Sequence, residues 1–166
     1  MRVDPTQRTT PLPNGAAPSA AKSQQIHCFI VFVGGEPFGL PVDSVHTIFG
    51  IEAVTPVPLG PKEILGLVNL RGKIVTAVSL RRRLNLPDPP PARSSLAVGM
   101  DHRGENFALV VDEVGDVLHL QPDVQILLPP HLGERRAKFT KAAYRLENGI
   151  LSLLDVGAIF EFPRHI

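Results

Sequence analysis

Three polar side chains and a glycine interrupt one apolar run, NLRGKIVTAVSL, and form the strongest candidate for a chemical role. The interruption consists of Asn69, Arg71, Gly72 and Lys73. The surrounding run, ILGLVNLRGKIVTAVSL, is too long for one ordinary strand, so we expect the chain to fold back near Arg71 and Gly72. Gly72 would relieve the backbone there, and the polar side chains would lie at a hairpin tip where a partner could contact them. The pattern leaves one alternative open, which is a turn of solvated polar residues.

The histidines and cysteine do not have the spacing of a metal site. The six histidines lack i, i+4 pairing and nearby cysteines, so the spacing predicts surface or turn histidines. They are His27, His46, His102, His119, His131 and His165. Cys28 lies in the apolar run HCFIVFV, which predicts a small buried thiol. We therefore expect no metal and no cofactor.

Other familiar chemical motifs are missing from the sequence. Asp112, Glu113 and Asp116 follow the run FALVV, but they lack the ligand number and loop of a calcium site, which predicts a solvated strand end. Gly34 and Gly35 are not followed by the Lys-Ser/Thr of a phosphate loop. No Gly-x-Ser-x-Gly nucleophile motif occurs. We expect no enzymatic activity.

Composition narrows the class of protein. The chain has 166 residues, 43% of them hydrophobic, and a net charge of +1, which predicts a globular fold with no general attraction to nucleic acid or anionic membranes. No apolar run approaches the roughly 20 residues that span a bilayer, and the N-terminus lacks the apolar core of a signal peptide. We therefore expect a cytoplasmic protein without direct membrane insertion.

Proline-rich segments divide the chain. Residues 1–25 contain four prolines and no apolar period, which predicts a disordered tail before a folded domain at 26–166. The stretch LPDPPPARSS, residues 86–95, cannot enter a helix interior or a central strand, so we expect it to divide the domain into halves.

Turn signals predict strands through most of the domain. Hairpins are expected at Gly34–Gly35, in DHRGEN and at Asn148–Gly149, in addition to the fold-back at Arg71–Gly72. Helices are limited to LRRRLNL, DVGAIFEF and possibly PKEIL, and the basic run Arg81–Arg83 is interpreted as a solvated helix face. The class is all-β, as a sandwich or small closed barrels, and we favour barrels.

Apolar residues occupy both faces of the strands around the interruption, where a one-sided sheet would alternate. They are Leu65, Leu67, Val68, Leu70, Ile74, Val75 and Val78. We therefore expect two units that share a buried seam.

Four segments, in order and spacing, resemble the CheW family. They are FIVFVGGEPFGLPVDSVHTI, GLVNLRGKIVTAVSLRRRLNL, FALVVDEVGDVLHL and RLENGILSLLDVGAIF. The resemblance implies two intertwined five-stranded β-barrels around a common hydrophobic core, with short helices. It also implies a non-enzymatic adaptor of chemotaxis signal transduction, which couples the cytoplasmic tips of methyl-accepting chemoreceptors to the regulatory domain of a CheA-type histidine kinase.

The resemblance also assigns a protein-binding surface. It matches Gly66, Asn69, Leu70, Arg71 and Gly72 to the family motif around the receptor-contacting region. The family stretch V-x-E-I corresponds to Val45-His46-Thr47-Ile48, which adds Val45 and Thr47. The sequence departs from the usual family pattern at Thr47, Thr76, Ser79 and Ala142, which replace a glutamate, a proline, an aspartate and a glycine.

Two other functions remain open at this point. The departures are compatible with a divergent adaptor of pilus-based motility or another chemosensory-like pathway. The second alternative is a small-barrel nucleic-acid binder that uses Arg71, Lys73 and Arg81–Arg83. Such a binder would need stacking aromatic residues on one face, and the chain has no Trp and one Tyr, Tyr144.

Overall fold

The computed structural model describes residues 25–87, 95–147 and 149–162. The predicted disordered tail and most of the second proline-rich stretch lie outside these residues. The strands are β1 (Ile26–Val33), β2 (Glu36–Pro41), β3 (Val45–Ile51), β4 (Ile64–Leu70), β5 (Lys73–Ser79), β6 (Ser95–His102), β7 (Glu105–Val111), β8 (Glu113–Leu120), β9 (Gln125–Ile126), β10 (Thr140–Leu146) and β11 (Gly149–Leu154). The α-helices are α1 (Leu80–Arg83), α2 (Gly133–Lys138) and α3 (Val156–Phe160), and the 3₁₀ segments are Val42–Ser44, Pro122–Val124 and Pro130–Leu132.

The predicted hairpins are confirmed. Both residues have positive φ in the turns Gly34–Gly35, Arg71–Gly72 and Arg103–Gly104, the geometry that matches the twist of paired strands. β10 and β11 pair antiparallel with Leu146 opposite Gly149. The helices α1 and α3 lie where the sequence predicts them. PKEIL is not helical, and α2 was not predicted.

The strands form two sheets with the orders β8-β1-β2-β11-β10-β9 and β3-β6-β7-β5-β4. The all-β class and the two-unit architecture are confirmed. The sheets are not closed into barrels, because in the described residues the edge strands β8 and β9 do not pair, nor do β3 and β4. The first sheet has six strands rather than five because the two-residue β9 adds to β10.

The two halves of the chain repeat one order of elements. Hairpin β1–β2, edge strand β3, hairpin β4–β5 and helix α1 correspond to β6–β7, β8, β10–β11 and α3. The leading hairpin of each half lies in the sheet of the other half: β1–β2 pairs with β8 and β11, and β6–β7 pairs with β3 and β5. The proline-rich stretch therefore lies between the two halves of the chain, and each sheet contains strands from both halves.

This exchange explains the two-sided apolar strands. In β1, Val31 and Val33 join the largest apolar cluster, which also contains β6 and β7 residues, whereas Cys28 and Ile30 join a cluster on the opposite face. Cys28 is fully buried, as predicted, and burial raises the pKa of its thiol to about 11. In β4 and β5 the sequence predicts buried apolar residues on both strand faces. Val68, Val75 and Val78 are buried as predicted, but Ile74 is 64% exposed.

Candidate partner-binding surface

The tip of the β4–β5 hairpin, residues 69–73, positions the polar residues that interrupt the apolar run. Arg71 and Gly72 form the turn with φ of 52° and 86°. The Asn69 side-chain oxygen accepts a hydrogen bond from the Gly72 amide at 2.9 Å, so Asn69 closes the turn. A Cβ on Gly72 would meet nothing within 4 Å, and glycine is favoured there for its positive φ rather than for space. Arg71 and Lys73 are exposed, and Arg71 has no ion pair within the described residues.

A close backbone contact explains why residue 66 is a glycine, and the sequence alone did not predict this contact. The segment after β3 bridges to β4, because the Thr55 amide donates to the Leu67 carbonyl at 2.9 Å and the Leu67 amide donates back at 2.8 Å. Gly66 is buried beside this bridge with φ of 145°, and a Cβ on it would lie 2.2 Å from the Thr55 carbonyl oxygen. The residue therefore permits a close backbone approach along the edge of the sheet.

Strand β3 carries the other two candidate residues, Val45 and Thr47, with a register shift between them. Val45 is half-buried and packs against the largest apolar cluster. Thr47 is half-buried over Gly99, whose added Cβ would lie 2.8 Å from the Thr47 methyl group. Between them, the exposed His46 pairs with Asp101 at 3.0 Å.

Two cavities flank Leu70 and Arg71, and both lie between β3 and the β4–β5 hairpin. The first, about 330 Å³, is lined by Thr47, Leu70 and Arg71, with residues of β6 and β7. The second, about 430 Å³, is lined by Asn69, Leu70 and Arg71, with the end of β3. The structure thus brings Thr47, Asn69, Leu70 and Arg71 together, whereas Val45, Gly66 and Gly72 line neither cavity.

Charge on this surface is unevenly distributed. The first cavity carries Arg71 and Lys73, and its one carboxylate, Asp101, is paired with His46. Thr47 stands where the family pattern has a glutamate. The lining is therefore net cationic and suited to a partner that supplies carboxylates.

The basic run in α1 is not a solvated face, so that expectation is wrong. Arg83 is 5% exposed and donates to the carbonyls of Ile159 at 2.8 Å and Ala158 at 3.0 Å. The Arg81 side chain is 13% exposed and pairs with Asp112, which also accepts from the Gly34 amide. Asp112 is therefore part of a partly buried contact rather than of a solvated strand end, whereas Glu113 and Asp116 are exposed as expected.

The carboxylate of Glu63 interacts with two arginines, Arg83 and Arg135. Glu63 accepts from Arg135 at 2.8 Å and lies 3.6 Å from Arg83. Burial alone would raise the pKa of the Glu63 carboxyl, but its backbone hydrogen bond and the two guanidiniums outweigh burial and lower that pKa. Burial lowers the pKa of Arg83, opposed by the attraction of Glu63. Ser79, at the position of a family aspartate, caps α1 by accepting from the Arg82 amide at 3.1 Å.

The part of the chain that the structure describes does not have the features expected of a metalloprotein, a membrane-spanning protein or a base-stacking nucleic-acid binder. No group of three or more His, Cys, Asp or Glu side chains there could hold a metal ion. None of its helices has the length and apolar character needed to cross a membrane. Tyr144 is 4% exposed, so the only tyrosine cannot stack on bases at the surface.

Comparison with known proteins identifies the class. The sequence model of the CheW-like domain matches residues 27–163. The probable chemotaxis protein CheW of Rhizobium etli is 27% identical over 129 residues, covering 77% of this chain and 83% of the relative. The chemotaxis protein CheW of Bacillus subtilis is 27% identical over 133 residues, covering 80% and 85%.

A solved structure agrees on the fold. The scaffolding protein TtCheW from Thermoanaerobacter tengcongensis superposes with a TM-score of 0.72 at 22% identity, covering 82% of this chain and 93% of that one. The chain belongs to the CheW-like domain family. It is a CheW-type chemotaxis adaptor, and the comparisons do not favour the nucleic-acid or pilus-motility alternatives.

Proposed function

We propose that this protein is a non-enzymatic, cytoplasmic adaptor that couples methyl-accepting chemoreceptors to a CheA-type histidine kinase. Family membership and the relatives named as chemotaxis proteins support the pathway. The observation that carries the receptor contact is the position of Arg71, which is exposed, has no ion pair within the described residues and lies between two cavities.

In this proposal the receptor's cytoplasmic helical hairpin docks on the surface between β3 and the β4–β5 tip. Leu70 and Thr47 offer apolar contact beside the first cavity, and Ile74, 64% exposed opposite Asn69, extends the apolar area of the hairpin. A helix that lays apolar side chains into such a groove buries them at regular i, i+3 and i+4 positions. Arg71 and Lys73 then meet carboxylates at the rim of the contact.

The kinase is proposed to bind through its regulatory domain, to which the family resemblance assigns the same fold. Adaptor and kinase would then associate through a second surface, so that receptor and kinase are held on one molecule at the same time. The receptor's ligand state reaches the kinase as a coupling free energy between these two binding sites.

Arg71→Ala tests the receptor contact directly. An interface arginine often contributes about 2 kcal/mol or more of binding on truncation, so affinity for the receptor's cytoplasmic fragment should fall about 30-fold. Arg145→Ala is the matched control, because Arg145 is an exposed arginine near the tip of the corresponding hairpin β10–β11. Its affinity should stay within about 2-fold of wild type, a difference well under 1 kcal/mol.

Charge reversal sharpens the same experiment. Arg71→Glu should weaken binding further than Arg71→Ala, and the additional loss should shrink at high salt, because ions screen exposed charges. All variants should unfold at the wild-type midpoint. Equal affinities for wild type, Arg71→Ala and Arg145→Ala would show that the β4–β5 tip is only a solvated turn.

A further inference from the structure

Two histidines far apart in sequence lie side by side on the six-stranded sheet. β1 and β8 pair antiparallel with His27 directly opposite His119. The two imidazole centroids are 4.2 Å apart with an interplanar angle of 71°. Both residues are exposed, so a solute can reach the pair. Histidine spacing along the chain gave no sign of this contact, because the strand register creates it.

We propose that His27 and His119 form a site for a divalent transition-metal ion, Cu²⁺ or Ni²⁺. Neutral imidazole is a common ligand of these ions. With a metal–nitrogen distance of about 2.0 Å, two imidazoles bound at right angles have ring centroids about 4.5 Å apart. The observed centroid separation of 4.2 Å is close to that value, and rotation of the two exposed side chains would turn their nitrogens toward one ion.

The separation is closer to tetragonal than to tetrahedral coordination. Tetrahedral coordination, which Zn²⁺ prefers, places two imidazole centroids about 5.1 Å apart at the same bond length. Tetragonal ions hold neighbouring ligands near 90°, and Cu²⁺ binds nitrogen ligands more tightly than Ni²⁺ or Zn²⁺. We therefore expect the order of affinity Cu²⁺ over Ni²⁺ over Zn²⁺ at this pair.

The chain supplies two ligands and leaves the other coordination positions to solvent. No third His, Cys, Asp or Glu joins the pair among residues 25–87, 95–147 and 149–162. A bound ion would link β1 to β8, which is an edge strand of its sheet. The site lies on a different sheet from the β4–β5 tip, so its test is independent of receptor binding.

Titration of the untagged full-length chain with Cu²⁺, against a weak competing chelator, tests the proposal. We expect one tight equivalent, with an electron paramagnetic resonance spectrum that reports two imidazole nitrogens. His27→Gln and His119→Gln should each weaken Cu²⁺ binding by about 10-fold or more, because losing one arm removes the effective-concentration gain of the chelate. His131→Gln, another exposed histidine, should change it less than about 2-fold.

Two results would overturn the proposal. One is a wild-type spectrum with a single imidazole nitrogen or none, and this measurement needs no variant. The other is equal Cu²⁺ affinity in wild type, His27→Gln and His119→Gln. The unfolding midpoint of each metal-free variant, expected to match wild type, confirms that the affinity changes come from the lost ligand.

Discussion

Arg83→Ala should destabilise the fold strongly, although a run of three arginines looks like a solvated surface. The guanidinium of Arg83 binds the carbonyls of Ala158 and Ile159 at the end of α3. It also lies over the rings of Phe139 and Phe162, with its carbon 4.6 Å and 4.2 Å from their centroids. The Arg83 side chain thus links α1 to α3 and to Phe139, the residue that follows α2.

The expected loss follows from these contacts. Removing one partner of a buried ionic cluster typically costs about 3–5 kcal/mol, because the remaining polar groups stay buried without partners. Arg135 continues to neutralise Glu63 in the variant, which favours the lower part of that range. For a domain of this size about 3 kcal/mol lowers the unfolding midpoint by roughly 6–12 °C. Arg83→Lys should fall between wild type and alanine, because an ammonium cannot reproduce the planar fork of donors.

Thermal unfolding followed by circular dichroism measures the effect, with Arg145→Ala as the exposed control. The control should unfold within about 2 °C of wild type, since surface substitutions usually change stability by less than ~0.5 kcal/mol. An Arg83→Ala midpoint equally close to wild type would show that the Arg83 contacts add little to stability and would return the α1 arginines to a solvated role.

Three further perturbations have defined outcomes. Gly66→Ala should lower the free energy of unfolding, measured in urea, by more than about 3 kcal/mol, because of backbone strain and the displaced bridge. Gly50→Ala is the control and should be nearly neutral, because the space at its Cβ is open. Equal stabilities of the two variants would contradict the close approach at Gly66. Residues 26–90 and 91–166 expressed separately should not unfold cooperatively, and a folded monomeric half would rule out the exchanged hairpins. The folded-state pKa of Glu63 is lowered from 4.5, so its stabilisation is full above that pH and is lost as the pH falls through the folded pKa. Glu63→Gln should therefore flatten the acid limb of the stability curve, and an unchanged slope would exclude this role.

The elements that sequence reasoning predicted correctly are those with local causes. The turns at Gly34–Gly35 and Arg71–Gly72 depend on residues that tolerate positive φ, and the flanking apolar runs pair across them. The buried Cys28 follows from its apolar run in the same way. Apolar residues on both strand faces indicated a shared seam, because that pattern needs no knowledge of the partner strand.

The features that sequence reasoning missed depend on contacts between distant residues. Arg83 is buried because its side chain donates hydrogen bonds to carbonyls some 75 residues later in the chain. No local sequence pattern distinguishes it from a solvated arginine. The exchange of leading hairpins depends on which strands pair, not on where the strands lie. On the candidate surface, the roles of Asn69 and Gly66 became visible only with the turn hydrogen bond and the Thr55 bridge. The partner contacts of Arg71 and Thr47 stay predictions.

Reconstitution of the three-component complex tests the adaptor function most directly. The receptor's cytoplasmic fragment is immobilised, and retention of the CheA-type kinase from the same organism is measured with and without this protein. We expect the kinase to be retained only when the adaptor is present, and Arg71→Ala to reduce retention while Arg145→Ala does not. Kinase retention that is the same with and without the protein would contradict the adaptor function.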